Sequence, residues 1–91
     1  MTSDASNFTL NRVRHVIFYK KDELTTDLIC CEVRVAFGGR EGILFFHEEM
    51  AGWKRMIARL SELPGFDQEW FEKVVQPAFE EQRTVAFHRN D

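Results

Sequence analysis

The sequence predicts an α+β domain, an antiparallel sheet of about four strands with two helices packed on one face, in the order β-β-β-α-α-β. Three observations carry this. Runs of β-favouring residues joined by short turns fill the first half of the chain. Two segments with apolar residues at helical spacing, parted by Pro64-Gly65, follow, and a short alternating run closes the order. With 91 residues, 44% of them hydrophobic and 30% charged, the chain suffices for one core and not two. We therefore expect a single domain over residues 1–91, with frayed ends at 1–10 and 89–91.

The first strand is expected over Val13 to Tyr19, closed by the charged turn Lys20-Lys21-Asp22-Glu23. The second runs from about Asp27 to Phe37, and its parity assigns Ile29, Cys31, Val33, Val35 and Phe37 to the core. Gly38-Gly39-Arg40-Glu41-Gly42 supplies residues that tolerate positive φ, so a hairpin into a third strand, Ile43 to Phe46, is expected. Strand order stays open.

Glu48-Glu49 places negative charge where a helix start favours it, and Met50, Trp53, Met56, Ile57, Leu60 and Leu63 share one face of a helix expected over about 48–63. Pro64-Gly65 ends it. Asp67 is a good N-cap for a second helix, with Phe66 able to staple onto Phe71. That helix presents Trp70, Phe71, Val74, Val75, Ala78 and Phe79 on one side, pairs Glu69 with Lys73, and is kinked or split at Pro77. The last strand is Thr84 to His88.

Composition excludes several functions. No apolar run approaches the roughly 18–20 residues of a membrane span, and the polar start Met1 to Asn7 lacks the pattern of a secretory leader. Lys21-Asp22-Glu23-Leu24 spells a retention signal that is read only at a C-terminus, so here it is an internal loop. Net charge is −3, and residues 41–81 hold nine acids against four bases, which argues against a nucleic-acid footprint. Arg12, Arg14, Lys20, Lys21 and Arg34 offer RNA only a weak basic surface. Cys30 and Cys31, adjacent on one strand, point to opposite faces and read as free, buried thiols in a reducing cytoplasm.

Chemistry is sparse. His15, His47 and His88 lie on or beside three different strands; adjacent strands could bring two together, but no pair has zinc-ligand spacing, so neither metal nor other cofactor is expected. Cys30, sharing a parity with Glu32 and Arg34, is the better nucleophile candidate, set against ordinary packing. Asp22, Glu23 and Asp27 with Thr25 and Thr26 read first as a solvated turn. The glycine-rich segment matches no phosphate-binding loop. No catalytic residue is assigned.

Apolar residues on both faces of the sheet are the one feature that a helix-covered sheet with a wet second face does not explain. The first strand carries Val13, Ile17 and Tyr19 on one parity and Val16 and Phe18 on the other, and the third has Ile43 and Phe45 against Leu44 and Phe46. A partner subunit, an apolar ligand or closure towards a barrel would cover such a face.

The run from Asp22 to Cys31, with Leu63-Pro64-Gly65-Phe66, Trp70 and Pro77-Ala78-Phe79, resembles short bacterial proteins to which no activity is attached. The resemblance spans most of the chain and implies a bacterial cytosolic origin, with no site residue to carry over. The first expectation is a non-catalytic module that forms a homodimer or binds a protein partner through a sheet face lined by Val16, Phe18, Leu44 and Phe46 and edged by Arg14 and Arg34. The alternative is a small-molecule binder or sensor with an apolar pocket lined by Phe45, Trp53 and Trp70.

Overall fold

The computed structural model describes residues 9–22, 27–75 and 83–89. Along the chain come a 3₁₀ turn at Leu10–Arg12, β1 (Val13–Asp22), β2 (Asp27–Phe37), β3 (Arg40–His47), α1 (Trp53–Leu60), α2 (Trp70–Val75) and β4 (Arg83–His88). The four strands form one sheet in the order β3-β2-β1-β4, every pair antiparallel. This is the α+β architecture that the sequence predicts. The strand order is new: β4 returns after the helices to the free edge of β1.

Gly38 (φ 46°) and Gly39 (φ 83°) form the two-residue turn between β2 and β3, which sets Phe37 opposite Arg40. Positive φ at both central positions matches the twist of the flanking strands, and glycine adopts it without strain. From there the register puts Leu44 beside Val33 and Phe46 beside Cys31. The expected hairpin is present.

Two register shifts decide which side chains point inward. One between Val13 and His15 lets Val13 and Val16 both face the core, although they differ in parity. The other, between Val16 and Ile17 on the β4 side, leaves Ala86 without a partner residue across the ladder, and its carbonyl accepts the Asp67 backbone N–H at 2.8 Å. The segment leading into α2 is thereby tied to the edge strand.

Both helices lie on the Phe18 side of the sheet. α1 directs Trp53, Met56, Ile57 and Leu60 at it, spaced i, i+3, i+4 and i+7 as an amphipathic helix requires. It is shorter than the periodicity suggests, because Gly52 has φ 87° and no helix continues through that conformation. Glu48 and Glu49 consequently sit in the preceding turn, and the first turn of α1 carries no acid. Before α2, the Asp67 carboxylate accepts the Glu69 backbone N–H at 2.9 Å and pairs with Lys73 at 2.6 Å, in place of the expected Glu69 and Lys73 pair. This holds the Asp67 carboxyl below its usual range and raises the Lys73 amine. The Phe66 staple also forms differently: Phe66 turns its ring edge onto Phe18, and Phe71 stays half exposed against Trp70. The expected kink at Pro77, with Ala78 and Phe79, and the turn residues Glu23, Thr25 and Thr26 lie outside the described residues.

Phe18 is the hub of the core. It is fully buried, its ring lies 3.7 Å from that of Trp70 at an interplanar angle of 12°, and Trp53 and Phe66 meet it edge-on at 6.4 and 6.3 Å. One side chain thus joins the central strand to both helices and the loop between them. Lys20 lies two residues further along the same face. It is 2% exposed, donates to the Val75 carbonyl at 3.1 Å and stands 3.6 Å from the Asp27 carboxylate. β1 therefore runs on through the expected turn, and a lysine inside it pins the end of α2. Arg89 ties the end of β4 back to the start of the described chain. Arg89 bonds the Arg14 carbonyl through its backbone N–H at 2.9 Å and the Val13 carbonyl through Nε at 2.9 Å, and its Nη2 donates to the Leu10 carbonyl at 3.5 Å.

Phe18→Ala should cost about 3–5 kcal/mol in chemical denaturation, the range for truncating a buried aromatic. Ile17→Ala, one residue away on the opposite face, should cost clearly less, and equal losses would contradict this assignment of faces.

Candidate functional site

The register reads out row by row the face on which no described residue forms a helix, the helix-free face, since directly paired residues point the same way. One row is Ile43, Arg34, His15 and His88; the next is Phe45, Glu32, Ile17 and Val85; a third is His47, Cys30, Tyr19 and Arg83. Ile43, Phe45 and Val85 are 45%, 60% and 56% exposed, while Ile17 and Tyr19 are half-buried. Apolar and aromatic side chains on this face therefore come from β3, β1 and β4.

A charged strip runs through its middle. Glu32 is 7% exposed, accepts from Arg34 Nε at 2.8 Å through one oxygen and meets Arg83 Nη2 at 3.8 Å through the other. Arg83 also lies over the Tyr19 ring, 5.2 Å from its centroid, which adds a cation–π contact. The carboxylate is desolvated but held between two guanidinium groups, which offset the loss of water. Burial pushes the Tyr19 hydroxyl pKa upward, with Cys30 and Glu32 acting in the same direction.

His15 and His88, directly opposite each other on β1 and β4, bring their rings to a centroid distance of 4.4 Å, tilted by 58°. His15 Nδ1 is buried with no hydrogen-bond partner. Burial lowers the His15 pKa, and His88, Arg34 and Arg14 lower it further against the opposing charge of Glu41. His47 stands two rows away, and its Nδ1 accepts the Glu49 backbone N–H at 3.3 Å.

The predicted interface residues divide between the two faces. Val16 and Phe18 are fully buried under the helices, and Leu44 and Phe46 pack against that same core, so these four do not line an open surface. The physical reason is the β2 register. Val33 and Cys31 face the core, and they pair with Val16 and Phe18 on one side and Leu44 and Phe46 on the other. Arg34 is on the helix-free face as expected, and Arg14 sits at the irregularity between Val13 and His15. The aromatic pocket is not assembled: Trp53 and Trp70 meet at Phe18, whereas Phe45 stands on the opposite side of the sheet. A surface depression of about 490 Å³ beside α1 includes Trp53 but neither Phe45 nor Trp70.

Both cysteines are free and buried, as expected. Cys31 faces the core, and burial together with its neighbours Cys30 and Glu32 holds its pKa above the usual thiol range, which keeps it protonated and inert. Cys30 faces the other way but is only 6% exposed, with its thiol directed at the Leu28 carbonyl at 3.7 Å. Sequence reasoning missed Ile17, Tyr19, Glu32 and Val85 as members of one surface. Ile17 and Tyr19 join Glu32 there through the register of β1 against β2, which no local pattern shows.

No family model, curated protein or solved structure matches this chain.

Two predictions follow from these environments. With denaturant absent, a chromogenic disulfide reagent at pH 7.5 should react with neither thiol at the rate of a free cysteine, and unfolding should release two; rapid reaction of native Cys30 would contradict its burial. The depressed His15 pKa favours the neutral ring in the folded state. Its contribution to stability is therefore complete above the unfolded value of about 6.5 and is lost as pH falls through the lower folded value. The urea midpoint should fall from pH 7.5 to 5.5 by less in His15→Gln than in the unsubstituted protein.

Proposed function

We propose that the chain is a non-catalytic, self-associating module of a reducing cytoplasm, and that the helix-free sheet face, centred on Phe45, Ile17 and Val85, is where a second copy docks. The observation that carries this is the exposure of three large apolar side chains on the same sheet face, Ile43 and Phe45 on edge strand β3 and Val85 on edge strand β4, with the paired Glu32 and half-buried Ile17 between them. Large apolar side chains gathered on one face and mixed with paired charges support an interaction site.

Area and charge favour a second copy as the occupant. The strands contain 10, 11, 8 and 6 residues. At about 4.8 Å between strands and 3.3 Å per residue they present on the order of 550 Å² in projection. Side-chain relief adds to this, so the face is of the size that a standard interface buries, about 800 Å² per partner. Two such faces stack about 10 Å apart with a small angle between strand directions. The central carboxylate needs no group from a partner, because Glu32 already has Arg34 and Arg83. A two-fold axis through the Ile17 region would set apolar residues of one copy against those of the other. The two free thiols fit a reducing compartment.

Sedimentation equilibrium of the untagged protein should give a dimer, and Phe45→Asp should give a folded monomer with unchanged helical content. Because Phe45 is 60% exposed, the substitution leaves the core intact. A monomer before substitution, or a dimer untouched by Phe45→Asp and Val85→Asp, would overturn the reading.

A further inference from the structure

Two imidazoles are held against each other by paired strands. His15 and His88 are directly opposed across β1 and β4, their centroids are 4.4 Å apart, and the buried His15 Nδ1 lacks a hydrogen-bond partner. With bonds of about 2.0–2.1 Å and ligand angles near 90–110°, two imidazoles on one ion have centroids roughly 4.5–5.2 Å apart. The observed spacing of 4.4 Å lies just below that range, so an ion enters as the rings turn and separate slightly. We propose that His15 and His88 form a two-imidazole site for a borderline divalent transition-metal ion of the zinc, nickel or copper class.

The ligand chemistry follows from the donors. Imidazole nitrogen suits zinc, copper and nickel, whereas magnesium and calcium require oxygen. A strand pair fixes both rings before the ion arrives, so little side-chain freedom is lost on binding. Among the described residues no third histidine, cysteine or carboxylate converges here, so two protein ligands are supplied and the other positions fall to water. Of the neighbouring charges, Arg14 and Arg34 act against a cation at His15, while Arg34 is paired with Glu32 and the charge of Glu41 opposes both arginines. Both ligands come from one chain, but they lie one row from Ile17 and Val85 on the face proposed for docking, so the zinc titration is run on the Phe45→Asp variant as well, where no second copy can cover them.

Zinc chloride titrated calorimetrically into the untagged protein at pH 7.5, in a buffer that does not chelate, should bind with micromolar affinity. His15→Gln and His88→Gln should each weaken binding about tenfold or more, and His47→Gln, two rows away, should leave it unchanged. In the unsubstituted protein, nickel chloride should broaden the His15 and His88 ring resonances before those of His47, a readout that does not depend on how a variant folds. Absence of binding at millimolar zinc, affinity unchanged in either His15→Gln or His88→Gln, or broadening that begins at His47 would each overturn the proposal.

Discussion

Phe18 lies face to face with Trp70 at 3.7 Å and meets Trp53 and Phe66 with ring planes nearly perpendicular, and this packing orients the rest of the molecule. An aromatic ring on the central strand that both helices touch determines which side of the sheet they cover. Once Phe18 points inward, the strand's alternation sends Ile17 and Tyr19 outward, and the ladder carries that choice to β2, β3 and β4. The helix-free face is therefore a consequence of the core. Moving Phe18 to the other side would exchange every residue on both.

Among the described residues, the two most buried charged side chains belong to opposite faces and illustrate different solutions to one cost. Lys20, under the helices, satisfies its ammonium with the Val75 carbonyl and the Asp27 carboxylate, and so converts a desolvated charge into a tether between β1 and α2. Glu32, on the other side, is flanked by Arg34 and Arg83. Stripping a charge of water costs several kcal/mol unless partners replace the lost contacts, and each group has them within its own chain. For Glu32 that self-sufficiency matters to association, because a second copy can cover it without leaving a carboxylate unpaired.

The helix-free face combines features that are usually separate. Its middle carries an internally paired charge strip, exposed apolar side chains stand on the two edge strands, and one end carries the opposed histidines with an unpartnered ring nitrogen. The two thiols and the core aromatics offer no comparable reactivity, since the thiols are buried and the tryptophan rings are occupied by Phe18.

Local patterns in the sequence were enough for the element types and their order. Helical spacing from Trp53 to Leu60, the Pro64-Gly65 break, the Asp67 cap and the Gly38-Gly39 turn each act over a few residues, and β2 shows its buried parity because Glu32 and Arg34 mark the other one. On β1 and β3 both parities are apolar, so periodicity could not say which of Phe18 or Ile17, and which of Phe46 or Phe45, faces the helices. Cross-strand register decided that, together with an irregularity at Val13 and His15 that no local pattern announces. The same limit hid the buried Lys20, read locally as part of a turn, and the meeting of His15 with His88, 73 positions apart in the chain. Residue type and spacing determine what a segment can form; only the closed sheet, where burial of one face is shared by all four strands, determines which side chains meet.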